Sequence, residues 1–396
     1  MKLRVGVIFG GESVEHEVSI ISAVQAMKSM DSEKYEIIPI YIGKDREWYT
    51  GKLLSDIDIY SDLDLLKKYA KNVVLTNKKD SFVLVNKKGL RRVVDYIDIA
   101  FPIVHGTNVE DGTLQGYLEL IGIPYVGSNL YSASIGQDKV FQKQILKSSN
   151  LPVVDYDWFF DSEYKDNEEE ILKRIKKIGY PVMIKPARLG SSVGIGKAHN
   201  EEEAKMCIEE AIKYDEKILV EKVVDNLVEV NCSVLGNYEY QSASEIEEVM
   251  GADEFLSYKD KYLGGSKGKI SKTGSKGMVS TNRILPARLD DKMTNEVKEL
   301  SKSVFKVLNA AGVIRIDYLI DKKTKKIYIN ETNTIPGSLS FYLWEATDKP
   351  YKELLDDLIT LGIKTYKRKK RKVFSFETNI LSNFNGIKGS KGKLKM

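Results

Sequence analysis

The chain has 396 residues, 42% of them hydrophobic and 30% charged, the balance of a globular protein of two or three domains. Its 61 basic and 57 acidic residues leave a net charge of +4, too balanced to support a nucleic-acid partner, and no apolar run approaches the roughly 20 residues that span a bilayer. The two cysteines, Cys207 and Cys232, fit neither a metal-ligand spacing nor a disulfide framework, so a reducing cytoplasm is the expected setting.

In chain order, Leu3–Phe9 predicts a short buried strand and Gly10-Gly11 its turn. Arg4 interrupts the apolar run and the glycines follow at once, so a first strand is expected here, not a signal peptide. Ile20, Ile21, Val24 and Met27 lie at helical spacing, with Ser13 as the expected N-cap. Tyr35–Gly43 predicts the next strand, and strand–helix–strand implies parallel pairing. Residues 44–93 are charged and show no clear period. Ile97–Gly106 predicts a strand ending in a glycine turn, TLQGYLELIG a helix and IPYVGS a short strand.

The pattern then changes. NEEEILKRIKKIG predicts a charged helix, and YPVMIKPARLGSSVGIGKA a strand, a Gly/Ser-rich turn and a strand, in a small unit ending near Lys217–Asp225. From Glu229 to about Lys326 the chain reads mainly as strands, interrupted by the loop YLGGSKGKISKTGSKGM and by one helix over Asp290–Ala310. After Leu343 it reads as helical to about Lys364. The expected organisation is α/β in three units, 1–128, 129–224 and 225–366, with a basic, flexible tail over 367–396.

Several local patterns carry chemistry. In KPARLGSSVG (Lys185–Gly194) a lysine ends a strand and a loop of glycines and serines follows. Backbone N–H groups and hydroxyls there can meet phosphate oxygens, and Lys185 adds a point charge. The order is not that of a P-loop, so this is a phosphate grip built on a hairpin, or an ordinary hairpin turn. Glu221 and Lys222 close an apolar strand whose backbone can read an adenine edge, and Glu229, at the start of the next, can take ribose hydroxyls; ordinary strand-end charges are the plainer reading. Arg315 and Asp317 are two apart on one strand, Glu331 and Asn333 two apart on the next. If these strands pair, one face carries all four side chains. Three oxygen donors suit Mg²⁺ completed by substrate phosphates; the alternative is a cross-strand ion pair. Glu15 falls in the first turn of a helix, where the dipole favours it. His105, one of three histidines, follows an apolar strand and is open to a structural or a functional role.

Taken together, FGGESVEHEVS, VHGTNVEDGTLQGYLELIGIPYVGS, QDKV, KPARLGSSVG, LVEVNCSVLGN, KDKYL, RIDYLID and INETNTIPG resemble, in collinear order from Met1 to about Gly362, the D-alanine–D-alanine ligases of the ATP-grasp superfamily. The resemblance implies a three-domain ATP-grasp fold with an N-terminal parallel-sheet domain, and ATP-dependent joining of two D-alanines through a D-alanyl phosphate for peptidoglycan. It implies that Lys139 and Lys185 hold the ATP phosphates near Ser191, that Glu221 and Lys222 flank the adenine, and that Glu229 binds the ribose. Asp317, Glu331 and Asn333 would hold two Mg²⁺ (or Mn²⁺) ions, with Arg315 and the Gly337 N–H as oxyanion donors. Glu15 would hold the first D-alanine's ammonium and His105 would lie near its carboxylate. Ser192 (or Ser191) and Tyr262 would link to Glu15 and close the site, and Lys261 would draw in the second carboxylate. Homodimers are common in the family, and no membrane or nucleic-acid partner is expected.

Three departures stand out. The Gly/Lys-rich loop after Tyr262 is long, the tail from about Lys367 is extra, and Ser338-Leu339 follow Gly337 directly. That pair aligns with a Ser-Leu pair which in the family lies further on and binds the second carboxylate. The same chemistry with D-serine, D-lactate or another acceptor is one alternative; a non-catalytic ATP-binding protein is another, and a nucleic-acid role for the tail a third.

Overall fold

The computed structural model describes residues 2–79, 81–250 and 283–375. The first unit starts with β1 (Leu3–Gly10), α1 (His16–Ser29) and β2 (Tyr35–Ile42), with β1 and β2 parallel as expected. Residues 44–93 form β3 (Trp48–Thr50), α2 (Leu63–Tyr69), β4 (Lys71–Lys78), β5 (Ser81–Asn86) and the start of β6 (Val93–Ile97). β7 (Ile99–Pro102) then pairs in parallel with the other edge of β1. The sheet order is β6-β5-β4-β3-β2-β1-β7. The expected parallel sheet is parallel only where β1 meets β2 and β7; β3 to β6 join antiparallel. Short connections close antiparallel neighbours directly, whereas a parallel pair needs a crossover such as α1.

Three boundaries differ from the sequence reading. Ser13 is not the N-cap: Glu15 holds that position, and the Ser13 Oγ accepts the Glu15 N–H at 3.0 Å. The strand expected over Ile97–Gly106 is split between β6 and β7, and Ile103–Gly106 leave the sheet as a buried loop. IPYVGS contributes only a single bridge, Ala100 to Tyr125.

α3 (Thr113–Ile121), α4 (Leu130–Gln137) and α5 (Lys139–Ser148) lead to the central unit. This holds β8 (Tyr156–Phe160), α6 (Asp161–Asp166), α7 (Glu168–Ile178), β9 (Val182–Pro186), β10 (Gly196–Ala198), α8 (Glu201–Ile212) and β11 (Lys217–Lys222), in sheet order β10-β9-β11-β8. α7 and α8 cover one face through Ile171, Ile175, Ala204 and Ile208, packed on Val182, Ile184, Ile218 and Val220. Lys185, Leu219 and Glu221 alternate with these and take the opposite face.

The third sheet, β14-β13-β12-β15-β16, comprises β12 (Leu227–Gly236), β13 (Gln241–Val249), β14 (Arg283–Ile284), β15 (Gly312–Asp321) and β16 (Ile327–Asn333). α9 (Asp291–Val307) covers one face, burying Val297, Val304 and Phe305 against Cys232, Ile316, Tyr318 and Ile329. The two final helices are α10 (Phe341–Glu345) and α11 (Tyr351–Lys369), so the helix expected from Leu343 is interrupted where Pro350 keeps Lys349 out of helical conformation. α11 carries Tyr351, Leu354, Leu355, Leu358 and Ile359 into the core of the N-terminal unit. It runs to Lys369, past the expected start of the tail; residues 376–396 lie outside the described residues.

β1 ends in Gly10 at φ +90°, where a Cβ would stand 2.2 Å from the Ile42 carbonyl oxygen. Gly10→Ala should destabilise the protein by about 1–3 kcal/mol, from the left-handed backbone and the clash together. A urea titration measures it, and an unchanged midpoint contradicts the assignment.

Candidate active site

The site forms where the polar face of the third sheet meets the open face of the central one. Along β16, Ile327, Ile329, Glu331 and Asn333 share one parity, so an unbroken strand would turn the two isoleucines and the two polar residues the same way. A bulge prevents this. Tyr318 pairs with Ile329 but Asp317 pairs with Glu331, so Asn330 is an extra residue. Ile327 and Ile329 face the core under α9, while Glu331 and Asn333 turn to the other face with Asp317 and Arg315. The same row continues across the sheet, since Asn231 pairs with Asp317 on one side and Glu247 on the other.

Within the row, Arg315 grips both oxygens of Asp317 at 2.6 and 2.7 Å, and the Asn333 amide donates to Asp317 at 3.2 Å. Burial works against the Arg315 charge, yet Asp317, Tyr342 and Glu247 hold the guanidinium above its ordinary value. Burial pushes Asp317 up, and Glu331 and Glu247 add to this against the pull of Arg315. Glu247 is 1% exposed and accepts from Tyr342 at 2.6 Å and from Asn231 at 2.9 Å. Arg283 lies 3.4 Å from its other oxygen and stacks over the Tyr342 ring.

Three lysines face this row. Lys139 is 3.6 Å from Glu331 and donates to the Leu189 carbonyl at 2.8 Å. Lys143, one helical turn on, and Lys185 clasp Glu221 from either side at 2.5 and 2.6 Å. Both reach Asn330 at 3.2 Å, Lys143 at its carbonyl and Lys185 at its side-chain oxygen. Burial opposes the Glu221 charge, but the two lysines hold its carboxyl down to about 2. Lys222 is turned away, donating to the carbonyls of Gly179 and Tyr180. Glu229 starts the polar side of β12, two residues before Asn231.

A third group comes from the N-terminal unit. Glu15 is bonded by the Ser191 hydroxyl. A Cβ on Gly106 or on Gly190 would stand 2.9 Å from a Glu15 oxygen, so two glycine backbones close round the carboxylate. His105 is 4% exposed and bonded to the Ser22 hydroxyl at 3.1 Å. Burial lowers it to about 4 against a hydrogen bond to the Ile335 backbone, so its imidazole is neutral near pH 7. Glu110 accepts from the N–H groups of Gly106 and Ile335, both at 3.0 Å, and from the Thr334 hydroxyl at 3.3 Å.

Beyond Asn333 the chain makes a tight turn. Gly337 is half-buried between buried Pro336 and Ser338. Ser338, Leu339 and Ser340 follow with φ of 49°, 55° and 51°, a left-handed turn that costs L-residues about 1–2 kcal/mol each. Ser338 donates its N–H to Ser22 and its hydroxyl to Gln25, and Leu339 is buried in the N-terminal core. These two side chains are therefore occupied on the α1 side of the turn. Lys261, Tyr262 and the loop 263–278 lie outside the described residues.

The same set of elements is found in known proteins. Residues 4–128 match the model of the D-Ala–D-Ala ligase N-terminus, and residues 145–360 that of the C-terminus. The D-alanine–D-alanine ligase of Thermosipho melanesiensis is 41% identical over 380 residues, which is 96% of this chain and 98% of that one. The chain belongs to the D-alanine–D-alanine ligase family. Among solved structures, the VanG D-Ala:D-Ser ligase of Enterococcus faecalis superposes with a TM-score of 0.75 at 29% identity, covering 91% of this chain and all of the other. A D-alanine–D-alanine ligase from Bacillus anthracis, complexed with ATP, gives 0.65 at 26% identity, covering 93% and 99%.

Six residues of this family member were not singled out from its sequence: Lys143, Asn231, Glu247, Glu110, Ser22 and Gln25. Lys143 had a usable signal, since it stands four residues after Lys139 on one helix. Glu110 lies inside the motif that supplied His105. Glu247 had none, because it sits in a run with Glu245 and Glu248 whose alternation only the sheet resolves.

Burial, and then the nearby Glu15, raise Glu110 from 4.5 to about 8, against its three donors. Between those values the native protein binds a proton that the unfolded chain has released. This residue's contribution to stability is therefore fully present below pH 4.5 and lost as pH rises through 8. Unfolding free energies measured from pH 5 to 9 should fall less steeply in Glu110→Gln than in the parent; equal slopes would exclude the assignment.

Proposed function

We propose that the chain is an ATP-dependent, ADP-forming D-alanine–D-alanine ligase that makes D-alanyl-D-alanine for peptidoglycan, acting as a cytoplasmic homodimer. The observation that carries the chemistry is the face shared by Arg315, Asp317, Glu331 and Asn333, opposed by Lys139, Lys143 and Lys185.

The donor set fits Mg²⁺ or Mn²⁺. Asp317, Glu331 and Asn333 offer hard oxygens, and the crowding of Asp317 by Glu331 and Glu247 is relieved by a nearby dication. Substrate phosphates complete the coordination of such ions. Two bound ions would neutralise the β- and γ-phosphate charge and polarise the transferring phosphorus.

Lys139 and Lys185 hold the phosphates, with the Ser191–Ser192 hairpin supplying donors, while Glu221 and Glu229 face the nucleoside. Glu15, fixed by Ser191, holds the ammonium of the first D-alanine, and the neutral His105 lies near its carboxylate. A carboxylate oxygen attacks the γ-phosphorus, the bond to the β-phosphate oxygen breaks, and ADP leaves with the electron pair. The product is a D-alanyl phosphate. The free amine of the second D-alanine then attacks its carbonyl carbon. Arg315 and the Gly337 N–H receive the oxyanion, and phosphate departs as the carbonyl re-forms and the amine loses its proton. Lys261 and Tyr262 complete the acceptor side and the closure that keeps water from the acyl phosphate.

A different acceptor is favoured by one observation, that Ser338 and Leu339 are engaged with α1 and the N-terminal core. Purified protein given ATP, D-alanine and equimolar D-serine and D-lactate should yield mainly D-alanyl-D-alanine by mass spectrometry. Dominance of another conjugate, or phosphate release without dependence on any amino acid, would overturn the proposal. Glu331→Gln should retain the circular dichroism spectrum and lose turnover by at least about a hundredfold, the scale of an electrostatic group at a reacting centre. Unchanged turnover would remove the metal assignment.

A further inference from the structure

The turn that carries Gly337 is held from outside itself. Three successive L-residues adopt left-handed backbone only where their surroundings impose it. Inside the turn, the Leu339 N–H donates to the Pro336 carbonyl at 2.8 Å. The Phe341 N–H also donates to the Ser338 carbonyl, and further bonds come from the N-terminal unit and fall on either side of Gly337. Before it, Glu110 takes the Ile335 N–H and the Thr334 hydroxyl while anchored on the Gly106 N–H. After it, the Ser22 hydroxyl takes the Ser338 N–H at 2.9 Å and the Gln25 Oε1 takes the Ser338 hydroxyl at 2.6 Å.

Ser22 lies seven residues beyond Glu15, two helical turns along the same side of α1, and Gln25 one turn further. One helix therefore presents Glu15 at its start and grips the turn along its body. Its rigidity fixes the distance between the anchor of the first substrate and the N–H that receives the oxyanion.

We propose that Gln25 and Glu110 are positioning residues for the Gly337 N–H, Gln25 acting through Ser338 and Glu110 through Thr334 and Ile335. The inference rests on the ligase reading and on Gly337 as an oxyanion donor. An oxyanion forms only during the reaction, so loosening its donor lowers kcat and leaves ground-state binding alone.

The test uses the full chain with ATP, Mg²⁺ and D-alanine, and compares Gln25→Leu, Gln25→Glu, Ser338→Ala and the Gln25→Leu/Ser338→Ala double variant. Gln25→Leu should lower kcat about tenfold, the value of a lost hydrogen bond with a stranded donor, with the KM for ATP and for each D-alanine within threefold. Gln25→Glu keeps the acceptor oxygen and should recover kcat to within threefold of the parent. The double variant should be no slower than Ser338→Ala alone, because both changes break one contact. Glu110→Ala, which takes away the acceptor of the Ile335 N–H and the Thr334 hydroxyl, should show the same kcat-selective loss. If Gln25→Leu does not fold, Ser338→Ala reads the same contact without touching α1. Three results overturn the inference: Gln25→Leu within twofold of the parent, a rise in KM in place of the fall in kcat, or losses that multiply in the double variant. A parent protein that makes no D-alanyl-D-alanine defeats the ligase reading; a parent that makes it while Gln25→Leu keeps pace defeats only the positioning role.

Discussion

Asn330 allows one strand to serve a core and a polar cleft. β16 must bury Ile327 and Ile329 under α9 and must also present Glu331 and Asn333 to the cleft, and a regular strand cannot do both. The extra residue inverts the parity halfway along. Asn330 is also used where it falls, because its carbonyl and side-chain oxygen meet Lys143 and Lys185. The point at which the strand changes face is thus the point at which the two sheets are joined.

That junction is electrostatic and buried. Lys143 and Glu221 are each almost fully buried, and removing Glu221 would leave Lys143 and Lys185 without their shared carboxylate, at a cost on the order of several kcal/mol. Burial lowers the Lys143 ammonium even with Glu221 beside it, whereas Glu221 and Glu331 together raise Lys185 against its own burial. Lys139 stands 3.6 Å from Glu331, while Lys143 and Lys185 share Glu221.

Much of this was legible in the sequence. The i, i+2 spacings of Arg315 with Asp317 and of Glu331 with Asn333 placed four side chains on one face, and their strands do pair. The hairpin around Ser191 and the family assignment were legible too. What could not be read depended on contacts between distant segments. The Asn330 bulge leaves no local mark, since the apolar and polar residues of β16 alternate as though on one side. The irregular stretch at residues 44–93 becomes strands because β2 offers an edge to pair with, an instance of tertiary context outweighing local pattern. The left-handed conformation of Ser338 to Ser340 runs against the preference of every residue in it, so only the groups that impose it could have revealed it.

α11 carries a consequence for how the molecule is made. The core of the first unit is finished by Tyr351, Leu354, Leu355, Leu358 and Ile359, so its strands wait for a helix made after both other sheets. During translation the central unit, whose sheet is built from residues 156–222, can close on itself while the seven-stranded sheet still exposes an apolar face. A chain stalled before α11 would present that face to chaperones and to other chains, and a late step of folding would join distant segments of the sequence around one core.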